Sequence, residues 1–514
     1  MSNLIEHAVA SVLIGCSVVA QGAGAPCVIV DYAKTAGKLR PELHSSGWTP
    51  RSINHSQKQN PDIEIVKSMG FKAARTHDWA LENPGQRVVD LHFIFPLMYL
   101  DATDPKNYVF GPTDHLLEMT RDCGLDIFYR LGTSIEHTGP KVRFNSLIPT
   151  DFNKVAEVFA ATVRHYNRGW ANGKKWGIRY WEIWNEPDGI NNMWSLPEGD
   201  TPQNAALRRS KFAEFYALCV KRLKDEFGDE IKVGGPAICE LDFDYLQSLF
   251  DACNKVGVKP DFFSWHYYGN DPKEISRSAE EVRAYCDKRG FTDCELIVNE
   301  WHYLDSRWSD LRNANPAVSK RVQEGPTGHN NIDSAAYVLA NLVQFQSSKL
   351  DQAFYYGCGH EGHWGYMDAT MQKNKVYHAC RMFGGIMRDY STFCVSDVRA
   401  DNYYVLPVVS GDGQRKGLLL VDYRNTDQVI ELDVNGLAPS TKAKAVVLDH
   451  TRDNFPCSVE LDGNHLTLTK PDKYSAAFFV SFLGDVESDS YGVRPHRQTF
   501  VDNFRNQELN GDKK

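Results

Sequence analysis

The 514-residue sequence lacks several patterns that would assign it to a common class of protein. Its 12 cysteines form no CxxC pair and no zinc-like spacing, so no structural metal site is indicated. It contains no basic run, and its net charge of −9 argues against binding to nucleic acid or to an anionic membrane surface. There is no internal repeat. Cys286 and Cys294 flank a predicted helix-to-strand turn and could bridge, although buried free thiols are the expected state.

Lys and Arg are also absent from residues 1–7, which precede an apolar run at 8–20. This run is followed by small residues and is typical of a signal peptide, with cleavage after Ala20. Cys16 ends a Leu-Ile-Gly-Cys sequence that resembles a lipoprotein box. We therefore expect a secreted or periplasmic protein in which 1–26 are the signal peptide. A misplaced start codon and a buried first strand are the alternatives. No other segment is long enough to span a bilayer.

Hydrophobic residues make up 42% of the chain and aromatic residues 12%, enough for a large domain and a smaller one. From residue 40 to 394, short apolar strands alternate with amphipathic helices, which predicts a parallel (β/α)8 barrel in the α/β class. The eight predicted strands are Leu43–Trp48, Ala73–His77, Asp126–Leu131, Tyr180–Trp184, Ile231–Gly235, Phe262–His266, Glu295–Asn299 and Gln352–Tyr356. The predicted helices lie near 61–69, 114–123, 151–167, 205–227, 242–256, 276–289, 331–348 and 374–388.

The helical period disappears after the barrel. Residues 395–484 contain short apolar runs separated by polar turns, which predicts an accessory antiparallel β-sandwich. One or more strands within 27–39 are expected to join it. Residues 485–514 are polar and are expected to form a loosely held tail.

Two predicted barrel strands, the fourth and the seventh, end in the same dipeptide, Asn-Glu. Asn185 and Glu186 end the fourth strand just before a proline, and Asn299 and Glu300 end the seventh. Reacting groups of a parallel barrel lie at the carboxyl ends of its strands. Apolar neighbours would raise the pKa of a carboxyl such as Glu186, as a general acid requires. Two carboxylates that face one cavity are the minimal equipment for breaking a glycosidic bond.

These strand ends resemble those of clan A retaining glycoside hydrolases, and the likeness is greatest to glycoside hydrolase family 39, which includes β-xylosidases and α-L-iduronidases. The likeness covers roughly residues 27–483. It also includes Gly47-Trp48, Arg75-Thr76-His77, Gly234-Gly235-Pro236-Ala237 and Phe262-Phe263-Ser264-Trp265-His266-Tyr267-Tyr268. The xylosidase-like members tend to carry a Glu near the end of the third strand, where Leu131-Gly132-Thr133 stands here. This departure leaves the sugar open.

The resemblance implies that Glu186 is the acid/base and Glu300 the nucleophile, without a cofactor or metal, and that the partner is an oligosaccharide or polysaccharide. Asn185 is then expected to contact the sugar hydroxyl beside the reacting carbon. His266 and Tyr268 share one face of their strand and could hydrogen-bond Glu300. The further candidates for substrate binding are His77, Trp301, Trp364 and Glu361.

Residues 357–362 match the dinucleotide pattern GxGxxG, but no helix opens directly after them, so we reject a dinucleotide site. One short loop also offers no fixed metal geometry from His360, Glu361 and His363. The loop is expected to form an aglycone-side wall that includes Trp364 and Glu361.

The leading interpretation is a retaining exo-glycosidase. The alternatives are an endo-acting hydrolase of the same clan, a catalytically silent carbohydrate-binding barrel and, more weakly, a Ca²⁺- or Zn²⁺-dependent hydrolase. The anomer, the linkage and the oligomeric state are left open. A uronate substrate would need a basic residue in the pocket, for which Arg75 and Arg130 are candidates if they are not ion-pair residues of the barrel.

Overall fold

The structure is a computed structural model. It describes residues 28–47, 61–77, 88–133, 147–189, 193–311, 322, 327–357, 364–367 and 372–483. The expected signal peptide, the polar tail after 484 and the loop residue Glu361 lie outside these ranges. Among the described residues, no helix combines the length and the apolar character needed to cross a membrane.

Strands dominate both ends of the described chain, and helices alternate with strands between them. The strands are β1 (Val28–Lys38), β2 (Ser45–Ser46), β3 (Ala73–Arg75), β4 (Asp126–Leu131), β5 (Tyr180–Ile183), β6 (Lys232–Ile238), β7 (Phe262–Gly269), β8 (Glu295–Tyr303), β9 (Gln352–Tyr355), β10 (Thr392–Val398), β11 (Tyr403–Val409), β12 (Lys416–Asp422), β13 (Val429–Asn435), β14 (Lys442–Leu448), β15 (Asp453–Cys457), β16 (Val459–Asp462), β17 (His465–Thr469) and β18 (Ala476–Leu483). The helices are α1 (Pro61–Met69), α2 (Leu91–Ile94), α3 (Gly111–Asp122), α4 (Phe152–Arg168), α5 (Ala205–Phe227), α6 (Phe243–Val256), α7 (Glu274–Lys288), α8 (Trp308–Leu311), α9 (Ile332–Phe345) and α10 (Lys375–Asp389).

Strands β2 to β9 form a closed parallel barrel in sequence order, with β9 pairing back to β2. The predicted (β/α)8 barrel is confirmed. The helix boundaries have clear local causes. The Asp151 side chain accepts from the N–H of Lys154 at the start of α4, and α4 ends at Gly169, whose φ of 78° is left-handed. Asp242 and Gly257 play the same two roles for α6.

A ten-stranded, mostly antiparallel sheet lies beside the barrel, as predicted. Among its described strands, β1 and β13 are the one parallel pair, and β1 also pairs antiparallel with β10. Successive residues of β12 belong to different cores. Leu418 and Leu420 pack in the sheet's own core, whereas Leu419 and Val421 join the core of the barrel. The sheet is therefore apolar on both faces where it contacts the barrel.

One arginine of the accessory sheet fixes it to the carboxyl end of the barrel. Arg424 follows β12 and donates from Nε to Asp333 Oδ2 at 2.9 Å. Its Nη2 donates to Tyr303 Oη at 2.6 Å and to Asp305 Oδ2 at 2.7 Å. Tyr303 ends β8 and Asp305 follows it, so this contact reaches the strand that carries Glu300.

The amino-terminal part of the barrel interior is filled with apolar side chains. Phe128 is central, with ring centroids 4.8 Å from Phe354 and 5.4 Å from Phe262. Ala73 and Ile297 complete this buried cluster. The polar side chains described below lie on the carboxyl side of this floor, as expected for a packed barrel.

Candidate active site

Strand β5 is followed by two residues with left-handed backbone, and this turn directs Asn185 into the barrel. Trp184 has a φ of 75° and Glu186 a φ of 45°. Regular alternation would place Asn185 outside and Trp184 inside. Instead, the Trp184 ring packs outside, 5.3 Å from the Trp194 ring. Each left-handed non-glycine residue costs about 1–2 kcal/mol, and such strain is concentrated at functional sites.

A bulge in β8 turns a second carboxylate inward. Val298 pairs with Trp265 of β7, but His266 pairs with Glu300, so Asn299 is the extra residue. Because of the bulge, Asn299 and Glu300 both face the interior. Asn185 and Glu300 therefore face the barrel interior only through a local departure from regular strand geometry.

Arg75, which ends β3, connects the inward-facing residues. It is 1% exposed and donates from Nε to Glu182 Oε2 at 2.7 Å. Its Nη1 donates to Glu300 Oε1 at 2.7 Å and its Nη2 to Asn185 Oδ1 at 2.6 Å. Burial opposes the charged form of Arg75, but Glu182 and Glu300 outweigh it and raise the pKa of the guanidinium. Arg75 is an ion-pair residue of the barrel, one of the two roles considered for it.

Both carboxylate oxygens of Glu300 are engaged. Besides Arg75, Oε1 lies 3.6 Å from His77 Nε2. Oε2 accepts a hydrogen bond from Tyr268 Oη at 2.8 Å and lies 3.3 Å from His266 Nδ1. The donors surrounding this group all stabilise an ionised carboxylate.

Glu186 lies nearer the solvent than Glu300, with 21% of its side chain exposed against 6%. Its backbone N–H donates to Ala237 O at 2.8 Å. Its Oε1 lies 3.0 Å from His266 Nδ1. One donor atom each from Glu186, His266 and Glu300 lie within 4.8 Å of one another, so the two carboxylates border one small space.

These same three groups are the one set among the described residues that is spaced to hold a metal ion. The position of His266 Nδ1 between the two carboxylates, 3.0 Å from Glu186 and 3.3 Å from Glu300, accounts for the same spacing. Arg75 also supplies a positive charge beside Glu300. A cation there would have to compete with that guanidinium.

Asp188 adds a third acidic group close to Glu186. Both of its carboxylate oxygens accept from the backbone N–H of Cys239, at 3.0 Å each. Burial raises the pKa of Asp188 to about 7, and the charge of Glu186 contributes to the same effect. Asp188 therefore changes charge near neutral pH.

The remaining substrate-binding candidates lie in different places. Trp364 stands beside Tyr268, with ring centroids 5.7 Å apart, and so borders the space around Glu300. Trp301 does not. It is 1% exposed and packs on the outer side of β8, 5.2 Å from the Phe345 ring. The bulge explains this position, since regular alternation would have pointed Trp301 inward.

Sequence reasoning missed four residues around this space. Glu182, Ser264 and Asn299 form hydrogen bonds inside the barrel. Trp308 is 45% exposed, and its ring centroid lies 5.0 Å from that of Tyr268. Strand alternation alone could have found Glu182 and Ser264, because both lie on inward positions of regular strands.

Comparisons with known proteins identify the family to which this sequence is similar. The sequence model of Glycosyl hydrolases family 39 matches residues 27–346, more than half of the chain. The chain is 22% identical over 321 residues to a beta-xylosidase of Geobacillus stearothermophilus, covering 57% of this chain and 58% of the relative. It is 24% identical over 231 residues to a beta-xylosidase of Caldicellulosiruptor saccharolyticus, covering 43% and 41%. These matches span less than two thirds of either relative.

Solved structures extend the likeness beyond the family match. A glucosidase from Croceicoccus marinus superposes with a TM-score of 0.68 at 19% identity, over 89% of this chain and 99% of that one. An α-L-arabinofuranosidase from Thermotoga maritima gives a TM-score of 0.58 at 15% identity, over 89% and 99%. At these identities the similarity establishes the fold alone.

Proposed function

The chain belongs to glycosyl hydrolases family 39, and from that premise we propose that it is a retaining exo-glycosidase in which Glu186 is the acid/base and Glu300 the nucleophile. The observation that carries the proposal is the spacing of the two carboxylates, whose facing oxygens lie within 4.8 Å. Retaining glycosidases hold their carboxyl groups about 5–5.5 Å apart, whereas inverting enzymes leave about 6.5–9.5 Å for a water.

The two roles follow from the environments of the two groups. Glu300 is the more buried and accepts hydrogen bonds from Arg75 and Tyr268, which favour the ionised form that a nucleophile needs. Glu186 is the more exposed and lies where a leaving group and a water can arrive. The same carboxyl can therefore give a proton in one step and take one in the next.

The reaction then proceeds in two displacements. Glu300 attacks the anomeric carbon while Glu186 protonates the departing oxygen, so the glycosidic C–O bond breaks as a glycosyl ester forms. Glu186, now ionised, removes a proton from water, and that water breaks the ester and frees Glu300. Asn185, held by Arg75, is available to the hydroxyl next to the reacting carbon.

A terminal β-xyloside is the first substrate to test, because two relatives in the family are named as beta-xylosidases. The experiment is a panel of p-nitrophenyl glycosides covering both anomers of pentosides, hexosides and uronides. Cleavage of one member would support the proposal if NMR shows that the first-formed sugar keeps the anomeric configuration of the substrate. Release of the inverted sugar would overturn it. If no member of the panel is cleaved but a polysaccharide is, the enzyme is endo-acting instead.

Substitution of the two carboxylates separates their roles. Glu300→Gln and Glu186→Gln should each reduce kcat by at least about 10³-fold, because each removes a group required in the chemical step. Added azide should restore turnover of an activated substrate to a Glu186→Ala variant and yield the glycosyl azide. Azide rescue of Glu300→Gln with a retained product would show that the roles are reversed.

We also propose that the protein is exported, on the basis of the apolar run at 8–20. N-terminal sequencing of the native protein would test this, with a start near residue 21 as the expected result. A mature chain that begins at residue 1 would overturn it.

A further inference from the structure

Glu182 is a charged side chain that the proposed reaction does not use. It lies at an inward position of β5, is fully buried and is 0% exposed. Its Oε2 accepts from Arg75 Nε at 2.7 Å. Its Oε1 accepts from Ser264 Oγ at 2.7 Å and from Asn299 Nδ2 at 2.5 Å. Four strands therefore meet at this one carboxylate.

Placing a carboxylate here is energetically expensive. Removing a carboxylate from water costs several kcal/mol even when it is paired, and apolar residues of similar volume often serve stability equally well or better. The aromatic floor directly below, which includes Phe128 and Phe262, shows that this barrel can fill its interior with apolar side chains. The position of Glu182 is therefore better explained by what it does to its neighbours than by stability.

We propose that Glu182 is a positioning residue for the nucleophile: it fixes the plane of the Arg75 guanidinium and shares that cation with Glu300. This inference rests on the proposed role of Glu300. A guanidinium is planar, so fixing its Nε edge also fixes the directions of both terminal nitrogens. Those nitrogens hold Glu300 and Asn185.

Charge sharing has a consequence that simple packing lacks. Arg75 is the one arginine in direct contact with Glu300 among the described residues, and two carboxylates contact it. Removing the negative charge of Glu182 would leave the whole positive charge of Arg75 to Glu300. Glu300 would then ionise at lower pH and be a weaker nucleophile. Among the described residues, the charged or titratable groups near Glu300 on neighbouring elements are Arg75, His77, Glu182, Glu186, Cys239, His266 and Tyr268.

The test compares Glu182→Gln with Glu182→Asp, using whichever glycoside the wild-type enzyme cleaves. In Glu182→Gln one oxygen becomes an NH2 group, which must face either Arg75 or the donors of Ser264 and Asn299. We expect kcat to fall by about 10–100-fold, since small misplacements of reacting groups have effects of that size. KM should change little, and the acid limb of the kcat/KM profile should move to lower pH. Glu182→Asp keeps the charge but shortens the reach, so kcat should fall without that movement.

Asp422→Asn is the matched control. Asp422 also has a fully buried carboxylate, 2.8 Å from the buried Lys470, but in the accessory sheet. This variant should lose thermal stability while keeping the wild-type acid limb. An unshifted acid limb and wild-type kcat in Glu182→Gln would overturn the inference. If Glu182→Gln does not fold, a wild-type kcat in Glu182→Asp would overturn the inference instead.

The proposed function is checked separately in the same experiment. A 2-deoxy-2-fluoro glycoside of the accepted sugar should label Glu300 in the wild-type protein, as peptide mass spectrometry would show. If Glu300 is labelled and Glu182→Gln has the wild-type kcat and acid limb, only the inference about Glu182 is overturned. Labelling of a different residue would remove the proposed role of Glu300 as well.

Discussion

His266 lies between the two carboxylates, with Nδ1 3.0 Å from Glu186 and 3.3 Å from Glu300. One Nδ1–H can be directed fully at only one of them at a time. In the proposed reaction the negative charge alternates between the same two groups, because Glu300 is ionised before the first step and Glu186 after it. His266 can therefore follow the charge by a small change of direction, which stabilises both stages without a large movement.

Asp188 should control the alkaline side of the pH profile. Its pKa of about 7 means that it becomes negative as the pH rises past neutrality, close to Glu186. That negative charge opposes ionisation of Glu186 and so helps it to keep the proton that it donates in the proposed reaction. Asp188→Asn should therefore move the basic limb of kcat/KM to lower pH. The measurement is kcat/KM from pH 5 to 10, with stability at each pH confirmed by circular dichroism. A basic limb that stays in place or moves to higher pH would contradict this.

Regular elements and irregular ones differ in how far the sequence predicts them. Alternation and helical period predict the barrel strands, the principal barrel helices and the accessory sheet, because burial on one face or two imposes those periods. They also place His266 inward. They do not predict the left-handed Trp184 or the bulge at Asn299, since both depend on contacts with neighbouring strands. The inward Glu300 and the outward Trp301 depend on the second of these irregularities.

Gly132, at the end of β4, shows how closely β5 is held. Its φ is 131°, and a Cβ added there would lie 2.8 Å from the Trp184 ring. The end of the third barrel strand therefore carries a glycine because the ring next to Asn185 occupies the space of a side chain.

Gly132→Ala should damage both stability and catalysis. The strained backbone and the contact with Trp184 should together cost about 2–3 kcal/mol, and movement of Trp184 should reduce kcat by disturbing Asn185. Gly124→Ala is the control, because its φ of 80° is also left-handed but nothing lies within 4 Å of the added atom. That variant should lose about 1–2 kcal/mol and keep its kcat. Equal kcat values for both variants would contradict the role assigned to Gly132.

At the scale of the whole molecule, the barrel and the accessory sheet form a continuous structure. The family match ends at residue 346, before the last barrel strand, whereas the structural likeness to the Croceicoccus glucosidase covers 89% of the chain. Strand β1 precedes the barrel in sequence but pairs with strands that follow it. A single boundary in the sequence therefore does not divide the chain into the barrel and the sheet. The exact boundaries near 40 and 394, and export, stay predictions.

A chain of contacts that begins at Arg424 connects the accessory sheet with the candidate active site. The guanidinium contacts Asp333 of α9, and Tyr303 and Asp305 at the end of β8. Trp308 follows three residues after Asp305, and its ring contacts Tyr268, which donates to Glu300. The accessory sheet can thus hold the segment that carries the exposed Trp308 ring beside Tyr268.

Arg424→Ala should therefore affect both unfolding and substrate binding. Asp333 is 3% exposed and, among the described residues, would keep its side-chain contact with Ser475 alone. We therefore expect the free energy of unfolding to fall by about 1–3 kcal/mol. KM should rise more than kcat falls, because Trp308 would be less well placed while Glu186 and Glu300 keep their contacts. Arg399→Ala removes an exposed pair with Asp397 in the same sheet and should change neither quantity. Thermal unfolding and steady-state kinetics on both variants measure the two effects. If Arg424→Ala lowers stability with an unchanged KM, the sheet supports the fold alone and the route to Trp308 is wrong.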